Sequence, residues 1–283
     1  MATLIDGKAV AAKVRLEAAR DVALARTRDV EAGLAVILVG DDPASASYVR
    51  MKARDCQECG IHTFDEHLPA TITQAELLAI IDDYNADHFV HGILVQLPLP
   101  GHLDPEEVIA HISPDKDVDG FSCESLGRLV RGLDGFKSCT PWGIMRLLRE
   151  YDIDPDGKRA VVIGRSTIVG KPMAVMLAAA NATVTLCHSH TKDLPAICRQ
   201  ADILVSAAGR LGLVDTGCVK PGAVVIDVGT NHTEDGTLVG DVVFDEVEPI
   251  ASAITPVPGG VGPMTRAMLM ANVARAALAA TAH

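Results

Sequence analysis

Short runs of aliphatic and β-branched residues alternate with longer amphipathic stretches through the first half of the chain. Such runs between turn residues are typical of buried strands, and the amphipathic stretches are typical of helices. The predicted strands are residues 34–39, 61–67 and 92–95, and the predicted helices are residues 8–27, 45–59 and 73–85. Because repeated strand and helix units build parallel sheets, this half is predicted to be an α/β domain.

The second half repeats the alternation after Thr140 and Pro141, which suit the cap and the first position of a helix. The domain boundary is therefore placed at this point. Strands are predicted at residues 161–163, 183–187, 203–206 and 224–227, with a short run at 242–243, and helices at 171–180, 192–200 and the Ala-rich C terminus. This order is Rossmann-like, so the predicted fold class is α/β with two α/β domains.

Composition narrows the functions that such a fold can serve. The 283 residues carry a formal net charge of −12, which argues against nucleic-acid and membrane partners and favours a small-molecule ligand. Seven scattered cysteines fit reduced thiols better than a disulfide framework, and the lone Cys-x-x-Cys at Cys56 and Cys59 is interpreted as packing. The chain start lacks the apolar core of a signal peptide, so we expect a cytoplasmic protein.

The run from Val161 to Pro172 predicts a strand, a tight turn and a helix. Gly164 and Gly170 permit a close bend and close packing, and the start of the next helix would present free N–H groups to an anion. The spacing Gly-x-Ser-x-x-x-Gly indicates a phosphate site less specifically than Gly-x-Gly-x-x-Gly does. An ordinary turn without a ligand is the alternative.

The end of the next strand indicates which dinucleotide would bind. A domain that reads NAD usually has an acidic residue there, but this strand ends in His188, Ser189 and His190. Arg165 lies in the turn itself, so a 2′-phosphate can be bound by Arg165 and Ser189, which favours NADP. An isolated His-x-His is more often surface than a metal site.

Candidate catalytic residues occur in the first half. Tyr48 and Lys52 stand four residues apart on one face of a helix, and Gln96 leaves a strand at its carboxyl end. Because the carboxyl ends of parallel strands line the ligand crevice, Gln96 would point toward the same site. A polar cap on a strand end is the equally simple alternative for Gln96.

The acidic loop near residue 117 resembles the opening of a calcium-binding EF-hand. Asp115, Asp117, Asp119 and Gly120 match that motif, but its twelfth position is Leu126, which cannot supply the required carboxylate. Calcium is therefore rejected and no metal is expected. The loop is either solvated, which the residues alone favour, or it presents a carboxylate to the edge of a heterocycle.

The segment 255–265 contains three prolines and three glycines between two predicted elements. Such a rigid loop either contacts a flat ligand closely or only reverses the chain, and its glycine content favours contact. The Ala-rich helix that follows is expected to pack back on the first domain.

Together these residues closely resemble one family, the bifunctional methylenetetrahydrofolate dehydrogenase/methenyltetrahydrofolate cyclohydrolases, over essentially the whole chain. The motifs that carry the resemblance are Tyr48 with Lys52, Asn85-x-Asp87, Gln96 to Leu99, Asp115 to Phe121, Gly164 to Ser166, Val169 to Pro172 and Pro258 to Thr265. The resemblance implies two activities: NADP-dependent oxidation of 5,10-methylenetetrahydrofolate, and hydrolysis of the methenyl product to 10-formyltetrahydrofolate. It also implies a homodimer formed through the Rossmann domains.

The family also implies an arrangement of domains and of site residues. A folate cleft would lie between a catalytic domain, residues 1–139, and an NADP-binding domain, residues 140–263, with the helix 264–283 packing back on the first. Lys52 would be the catalytic lysine, positioned by Gln96, while Tyr48 orients the substrate and Asp119 holds the pterin. The other expected folate contacts are Leu97, Pro98, Pro258, Gly259, Gly260, Pro263 and Thr265, and the expected cofactor contacts are Gly164, Arg165, Ser166, Val169, Gly170, Ser189 and Thr230.

Two positions depart from the family pattern. Arg266 replaces the usual Ile or Val, and is expected either to add charge near the folate glutamate tail or to face solvent. His190 stands where relatives often have a basic residue, which bears on the strength of NADP preference. Two other functions are alternatives. One is a dehydrogenase that has lost hydrolysis, which the presence of Lys52, Tyr48 and Gln96 opposes. The other is a nucleotide-sensing protein without chemistry, which has no need of Lys52.

Overall fold

The computed structural model describes residues 2–281, and this part of the chain divides into two compact units. The six-stranded unit comprises residues 2–11 with 138–265, and the three-stranded unit comprises residues 12–137 with 266–281. The predicted boundaries differ at residues 2–11, because strand β1 (Thr3–Leu4) pairs with a strand of the six-stranded sheet. Positions 1, 282 and 283 of those boundaries lie outside the described residues.

The three-stranded unit is built on a parallel sheet. Its elements are α1 (Gly7–Arg26, which begins among the residues of the other unit), β2 (Gly33–Val39), α2 (Pro43–Cys59), β3 (His62–Leu68), α3 (Gln74–Ala86), β4 (Gly92–Val95), α4 (Pro105–His111) and α5 (Cys123–Val130). The strand order is β3, β2, β4, and every residue of β2 is buried, as expected of a central strand covered on both faces. Thr73 and Glu76 form a reciprocal capping box that begins α3.

The six-stranded unit also has a wholly parallel main sheet. Its remaining elements are α6 (Cys139–Glu150), β5 (Arg159–Ile163), α7 (Gly170–Ala179), β6 (Thr183–Cys187), α8 (Leu194–Cys198), β7 (Ile203–Ser206), β8 (Val224–Asp227), β9 (Asn231–His232), β10 (Leu238–Val239), α9 (Phe244–Val247), β11 (Ala253–Ile254) and α10 (Val261–Ala280), which continues into the other unit from Arg266. The strand order is β1, β11, β8, β7, β5, β6, while β9 and β10 form a separate antiparallel pair.

Some boundaries differ from the sequence predictions. Helix α6 begins at Cys139, two residues before the predicted start at Pro141. The Thr140 hydroxyl contacts the Thr265 hydroxyl at 2.8 Å and does not cap the helix. Helix α8 is shorter than 192–200 because Asp193 adopts a left-handed conformation, with φ 49°. The predicted run at 242–243 is only an isolated bridge from Val242.

The cysteines are almost all internal. Cys123 is exposed and the other six are buried. Burial raises the pKa of the Cys59 thiol to about 11, and that of the Cys56 thiol further, so both side chains are packed as neutral groups. None of the described helices is long and apolar enough to cross a membrane.

Candidate active site

Tyr48 and Lys52 lie on α2, whose two ends are fixed by local hydrogen bonds. The carboxylate of Asp42 accepts the Ser45 N–H at the start, and Gly60 ends the helix in a left-handed conformation, with φ 75°. Residues four apart share a helix face. Tyr48 is 42% exposed and Lys52 is partly buried, so the face that carries them remains open to a ligand.

Lys52 is hydrogen-bonded to Gln96, which the sequence places at a strand end. The Lys52 ammonium donates to Gln96 Oε1 at 3.1 Å, and Gln96 Nε2 donates to the Leu97 carbonyl at 2.7 Å. The second bond fixes the amide with its oxygen toward Lys52. Leu97 is partly buried and Pro98 is exposed, so both follow Gln96 out of the sheet toward solvent.

The loop after residue 115 is organised by one buried carboxylate, that of Asp117. It accepts hydrogen bonds from the N–H groups of Gly120, Phe121 and Ser122 and from the Ser125 hydroxyl. Sequence reasoning missed this structural role, although an Asp followed by Gly, Ser and a helix start is a recognisable turn signal. Among residues 2–281, no group of three His, Cys, Asp or Glu side chains is arranged to hold a metal ion.

Asp119 stands in the loop that Asp117 holds, and it is partly buried. Burial raises the pKa of the Asp119 carboxyl to about 6, while the Lys52 ammonium acts in the opposite direction and the Asp117 charge adds a smaller increase. Asp119 and Lys52 therefore interact electrostatically. At neutral pH the carboxyl is mainly ionised and can accept hydrogen bonds.

A buried ion pair anchors α2 one turn beyond Lys52. Asp55, whose side chain is 6% exposed, lies 3.1 Å from Arg266 Nη1 and 4.0 Å from Arg15 Nε. Burial raises the pKa of Asp55, and the two guanidinium groups oppose that shift. The alternative in which Arg266 simply faces solvent is therefore wrong, because its guanidinium pairs with Asp55 inside the three-stranded unit. Its place near a folate glutamate tail stays a prediction.

The turn after β5 needs both of its glycines. Gly164 has φ 114°, and a Cβ placed there would lie 2.2 Å from the Ala207 carbonyl oxygen. A Cβ on Gly170 would lie 2.0 Å from the Gly164 carbonyl oxygen. The predicted tight bend and close helix packing are thus confirmed.

The expected free N–H groups at the start of α7 are not found. The Ser166 hydroxyl accepts the N–H groups of Val169 and Gly170, and the Ser166 carbonyl accepts that of Lys171. Pro172 has no N–H, so the first turn offers no unpaired donor. A phosphate at this turn must displace the Ser166 hydroxyl or use other groups of the turn.

Three predicted cofactor contacts lie beyond the carboxyl ends of β5, β6 and β8, which are strands of one parallel sheet. Ile163 of β5 pairs with Cys187 of β6, so Arg165 and Ser189 each stand two residues beyond paired positions. Both side chains are exposed, as is that of Thr230 after β8. His190 is exposed, and its N–H donates to the His188 ring.

The glycines of the segment 255–265 are used for packing within the six-stranded unit. A Cβ on Gly7 would lie 1.7 Å from the Gly260 carbonyl oxygen, and the Lys8 N–H donates to the Gly259 carbonyl. The loop ends at Gly260, because α10 begins at Val261 and includes Pro263 and Thr265. Pro258 is exposed, while Pro263 and Thr265 are partly buried.

Comparison with known families covers both halves of the chain. The catalytic domain of tetrahydrofolate dehydrogenase/cyclohydrolase matches residues 5–119, and the NAD(P)-binding domain of the same enzymes matches residues 138–281. The chain belongs to the tetrahydrofolate dehydrogenase/cyclohydrolase family. The Bifunctional protein FolD of Anaeromyxobacter dehalogenans (strain 2CP-C) is 59% identical over 270 residues, which cover 95% of this chain and 96% of that protein.

Solved structures of family members agree closely with this fold. The bifunctional enzyme FolD from Campylobacter jejuni is 52% identical with a TM-score of 0.96, covering 98% of this chain and 99% of that chain. FolD from Trypanosoma brucei, complexed with NADP cofactor and inhibitor, is 41% identical with a TM-score of 0.92, covering 98% and 97%. The predicted resemblance, the α/β fold class, the dehydrogenase and cyclohydrolase activities and a nicotinamide cofactor are confirmed, whereas the individual residue roles remain predictions.

Proposed function

We propose that this protein oxidises 5,10-methylenetetrahydrofolate with NADP and hydrolyses the 5,10-methenyltetrahydrofolate product to 10-formyltetrahydrofolate. The observation that carries the proposal is the Lys52 to Gln96 hydrogen bond, at 3.1 Å, in a member of this family. A dehydrogenase without hydrolysis, or a nucleotide sensor without chemistry, would not require a lysine held by a neutral amide beside the Asp119 carboxyl.

Oxidation removes a hydride from the carbon that bridges two nitrogens of the folate. The lone pair of the adjacent nitrogen delocalises the cation that forms, so no protein base is needed. NADP, when bound, supplies the acceptor for the hydride. The protein contributes orientation: it holds the folate so that the bridging carbon is presented in one position.

Hydrolysis makes a different demand, because water must lose a proton as it attacks the methenyl carbon. A proton must then reach the ring nitrogen as its bond to that carbon breaks, leaving the formyl group on the other nitrogen. We assign both proton movements to Lys52: its neutral amine accepts the proton from water, and the ammonium so formed gives that proton to the ring nitrogen. Gln96 fixes the amine without adding an opposing charge, and the exposed Tyr48 orients the substrate over it.

Folate binding is assigned first to Asp119 and to apolar residues next to Gln96. The ionised Asp119 accepts two hydrogen bonds from the amino-pyrimidinone edge of the pterin, which has the matching donors. Leu97 and Pro98 supply apolar contact next to Gln96. The other proposed folate contacts are Pro258, Gly259, Gly260, Pro263 and Thr265.

NADP is assigned to the carboxyl ends of β5, β6 and β8. The exposed guanidinium of Arg165 suits a 2′-phosphate, and Ser189 stands at the matching position of the neighbouring strand. None of the three residues after β6 is acidic, so no carboxylate there opposes the phosphate. The remaining proposed contacts are Gly164, Ser166, Val169, Gly170 and Thr230.

We further propose a homodimer formed through the six-stranded unit, working in the cytoplasm. Strand β6 is an edge of the sheet, and Leu186 on it is 36% exposed, so a second copy can pair there. The free thiols support the proposed location, because the cytoplasm is a reducing compartment. Sedimentation equilibrium should give twice the chain mass, and a monomer would reject the dimer.

The experiment uses purified protein with methylenetetrahydrofolate and either NADP or NAD. We expect the methenyl chromophore to appear faster with NADP and then to decay as it is hydrolysed. Methenyl formation without decay above the buffer rate would indicate a dehydrogenase alone. No chromophore with either cofactor would reject the proposal.

A further inference from the structure

A second buried carboxylate system lies in the six-stranded unit, and it includes none of the residues assigned above. Asp241 is fully buried, and its Oδ2 accepts the Ser206 hydroxyl and the N–H groups of Ala208 and Gly209. Its Oδ1 accepts the N–H of Arg210 at 2.8 Å and the side-chain amide of Asn231 at 3.0 Å. One carboxylate therefore fixes the whole segment that follows β7.

Asp227, the last residue of β8, does the same for the segment that follows its own strand. Its carboxylate accepts the N–H groups of Gly229, Asp241 and Val242, at 2.9 to 3.0 Å. Burial raises the pKa of Asp227 to about 6, while the hydrogen bonds from backbone N–H groups oppose that shift. At neutral pH it is mainly an ionised acceptor.

The backbone is shaped to admit these two carboxylates. A Cβ on Gly240 would lie 1.8 Å from Asp227 Oδ2, and a Cβ on Gly229 would lie 2.4 Å from Asp241 Oδ1. Any larger residue at either glycine would displace a carboxylate oxygen. The arrangement is therefore a built network in which three separate segments, residues 206–210, 227–231 and 240–242, are locked together.

The segments that the network holds reach two of the proposed cofactor contacts. Thr230 stands between Gly229, bonded to Asp227, and Asn231, bonded to Asp241. The segment after β7 begins with Ala207, whose carbonyl oxygen lies against the Cα of Gly164 in the turn after β5. The carboxyl ends of parallel strands are where a dinucleotide binds.

We propose that Asp241, with Asp227, is a positioning residue of the dinucleotide site, holding residues 207–210 and 229–231 in the conformation that accepts NADP. The inference rests on the proposed function, since it requires NADP at the carboxyl ends of these strands. Neither carboxylate touches the cofactor. Each acts through the backbone that it holds.

The first test compares Asp241→Asn with a matched control, Asp202→Asn. The amide introduced at position 241 would turn an N–H donor toward at least two backbone or side-chain donors, so the segment after β7 would lose its fixed conformation. Asp202 also accepts a backbone N–H, that of Arg159, but it precedes β7 at the opposite end of the sheet. Calorimetric titration with NADP should show the Kd rising roughly ten- to a hundredfold in Asp241→Asn and less than about twofold in Asp202→Asn.

Hydrolysis of supplied methenyltetrahydrofolate gives a readout that a general loss of folding would also lower. We expect it to stay within about twofold of wild type in Asp241→Asn, while the KM for NADP rises more than kcat falls. If Asp241→Asn does not fold, Asn231→Ala serves as the second variant, because it removes one donor to Asp241 and leaves the carboxylate in place. It should raise the NADP Kd by roughly three- to tenfold.

Two outcomes would overturn the inference. One is an unchanged NADP Kd in folded Asp241→Asn or Asn231→Ala, and the other is an equal loss in Asp202→Asn. Failure of the proposed function gives a different result, because the wild-type protein itself would then not bind NADP. Amide hydrogen exchange in residues 207–210 should accelerate in Asp241→Asn and remain unchanged in Asp202→Asn.

Discussion

The two units prepare their sites in different ways. In the three-stranded unit the proposed catalytic side chain is already held, because Lys52 is bonded to Gln96 and interacts with Asp119. In the six-stranded unit the first turn of α7 is closed on itself through Ser166, and the exposed Arg165 and Ser189 remain available. The proposed proton carrier is thus fixed before substrate arrives, whereas the proposed dinucleotide contacts include a turn that must rearrange.

The strongest test of this contrast is Lys52→Gln, which keeps a donor and similar length but cannot shuttle protons. Hydrolysis of methenyltetrahydrofolate should fall by ~10²–10⁴, the range typical of general acid–base catalysis, while oxidation falls much less. Methenyltetrahydrofolate should then accumulate during turnover of the methylene substrate. Equal losses in both activities would show that Lys52 only positions substrate, and no loss would place the proton carrier elsewhere.

The matching test in the other unit is Arg165→Ala. A charge-assisted hydrogen bond contributes about 1.5–3 kcal/mol, so the KM for NADP should rise roughly ten- to a hundredfold. The KM for NAD, which lacks the 2′-phosphate, should change little, and hydrolysis should be unaffected. Equal effects on NADP and NAD would assign Arg165 a general role in the turn.

Arg266→Met tests whether the ion pair of Arg266 with Asp55 stabilises the three-stranded unit, in which Lys52 is already held. It leaves a buried carboxylate with only the more distant Arg15, so the free energy of unfolding should fall by about 1–3 kcal/mol in urea titrations. The double variant Asp55→Ala with Arg266→Met should recover part of that loss, because no unpaired charge remains. A single variant as stable as wild type would show that the pair contributes nothing.

An effect of similar size, confined to a pH window, is expected for the stability contribution of Asp119. Its pKa is raised from 3.8 to about 6, so folding favours the protonated carboxyl. This contribution is complete below the ordinary pKa and is lost as pH rises through about 6. From pH 4 to pH 7, Asp119→Asn should therefore gain about 1–3 kcal/mol in unfolding free energy relative to wild type, and a constant difference would contradict the assignment.

The sequence predicted what depends on local pattern. Strands β4, β6, β7 and β8 have the predicted bounds, because β-branched runs between turn residues carry a strong local signal. Strands β1 and β11 were not predicted, because each has only two residues and therefore shows no periodicity. Only their pairing with segments far apart in the chain defines them as strands.

In the candidate site, too, features that depend on local sequence were predicted and features that depend on distant contacts were not. The proximity of Lys52 and Gln96 follows from helix spacing and from the end of a parallel strand, and both features are readable in sequence. The pairing of Arg266 with Asp55 is not, because it joins helices far apart in the chain. The hydrogen bonds that the Ser166 hydroxyl accepts from Val169 and Gly170 were also not predicted, because the partner of a hydroxyl depends on its side-chain rotamer.

Because the cysteines differ in exposure, a fluorescent label can be attached close to the loop that carries Asp119. Cys123 is the exposed thiol, at the first position of α5, only four residues beyond Asp119. A maleimide fluorophore should therefore attach at this position in the unmodified protein, without removal of the six buried thiols. Its emission can then report folate binding directly, independently of cofactor and of either reaction.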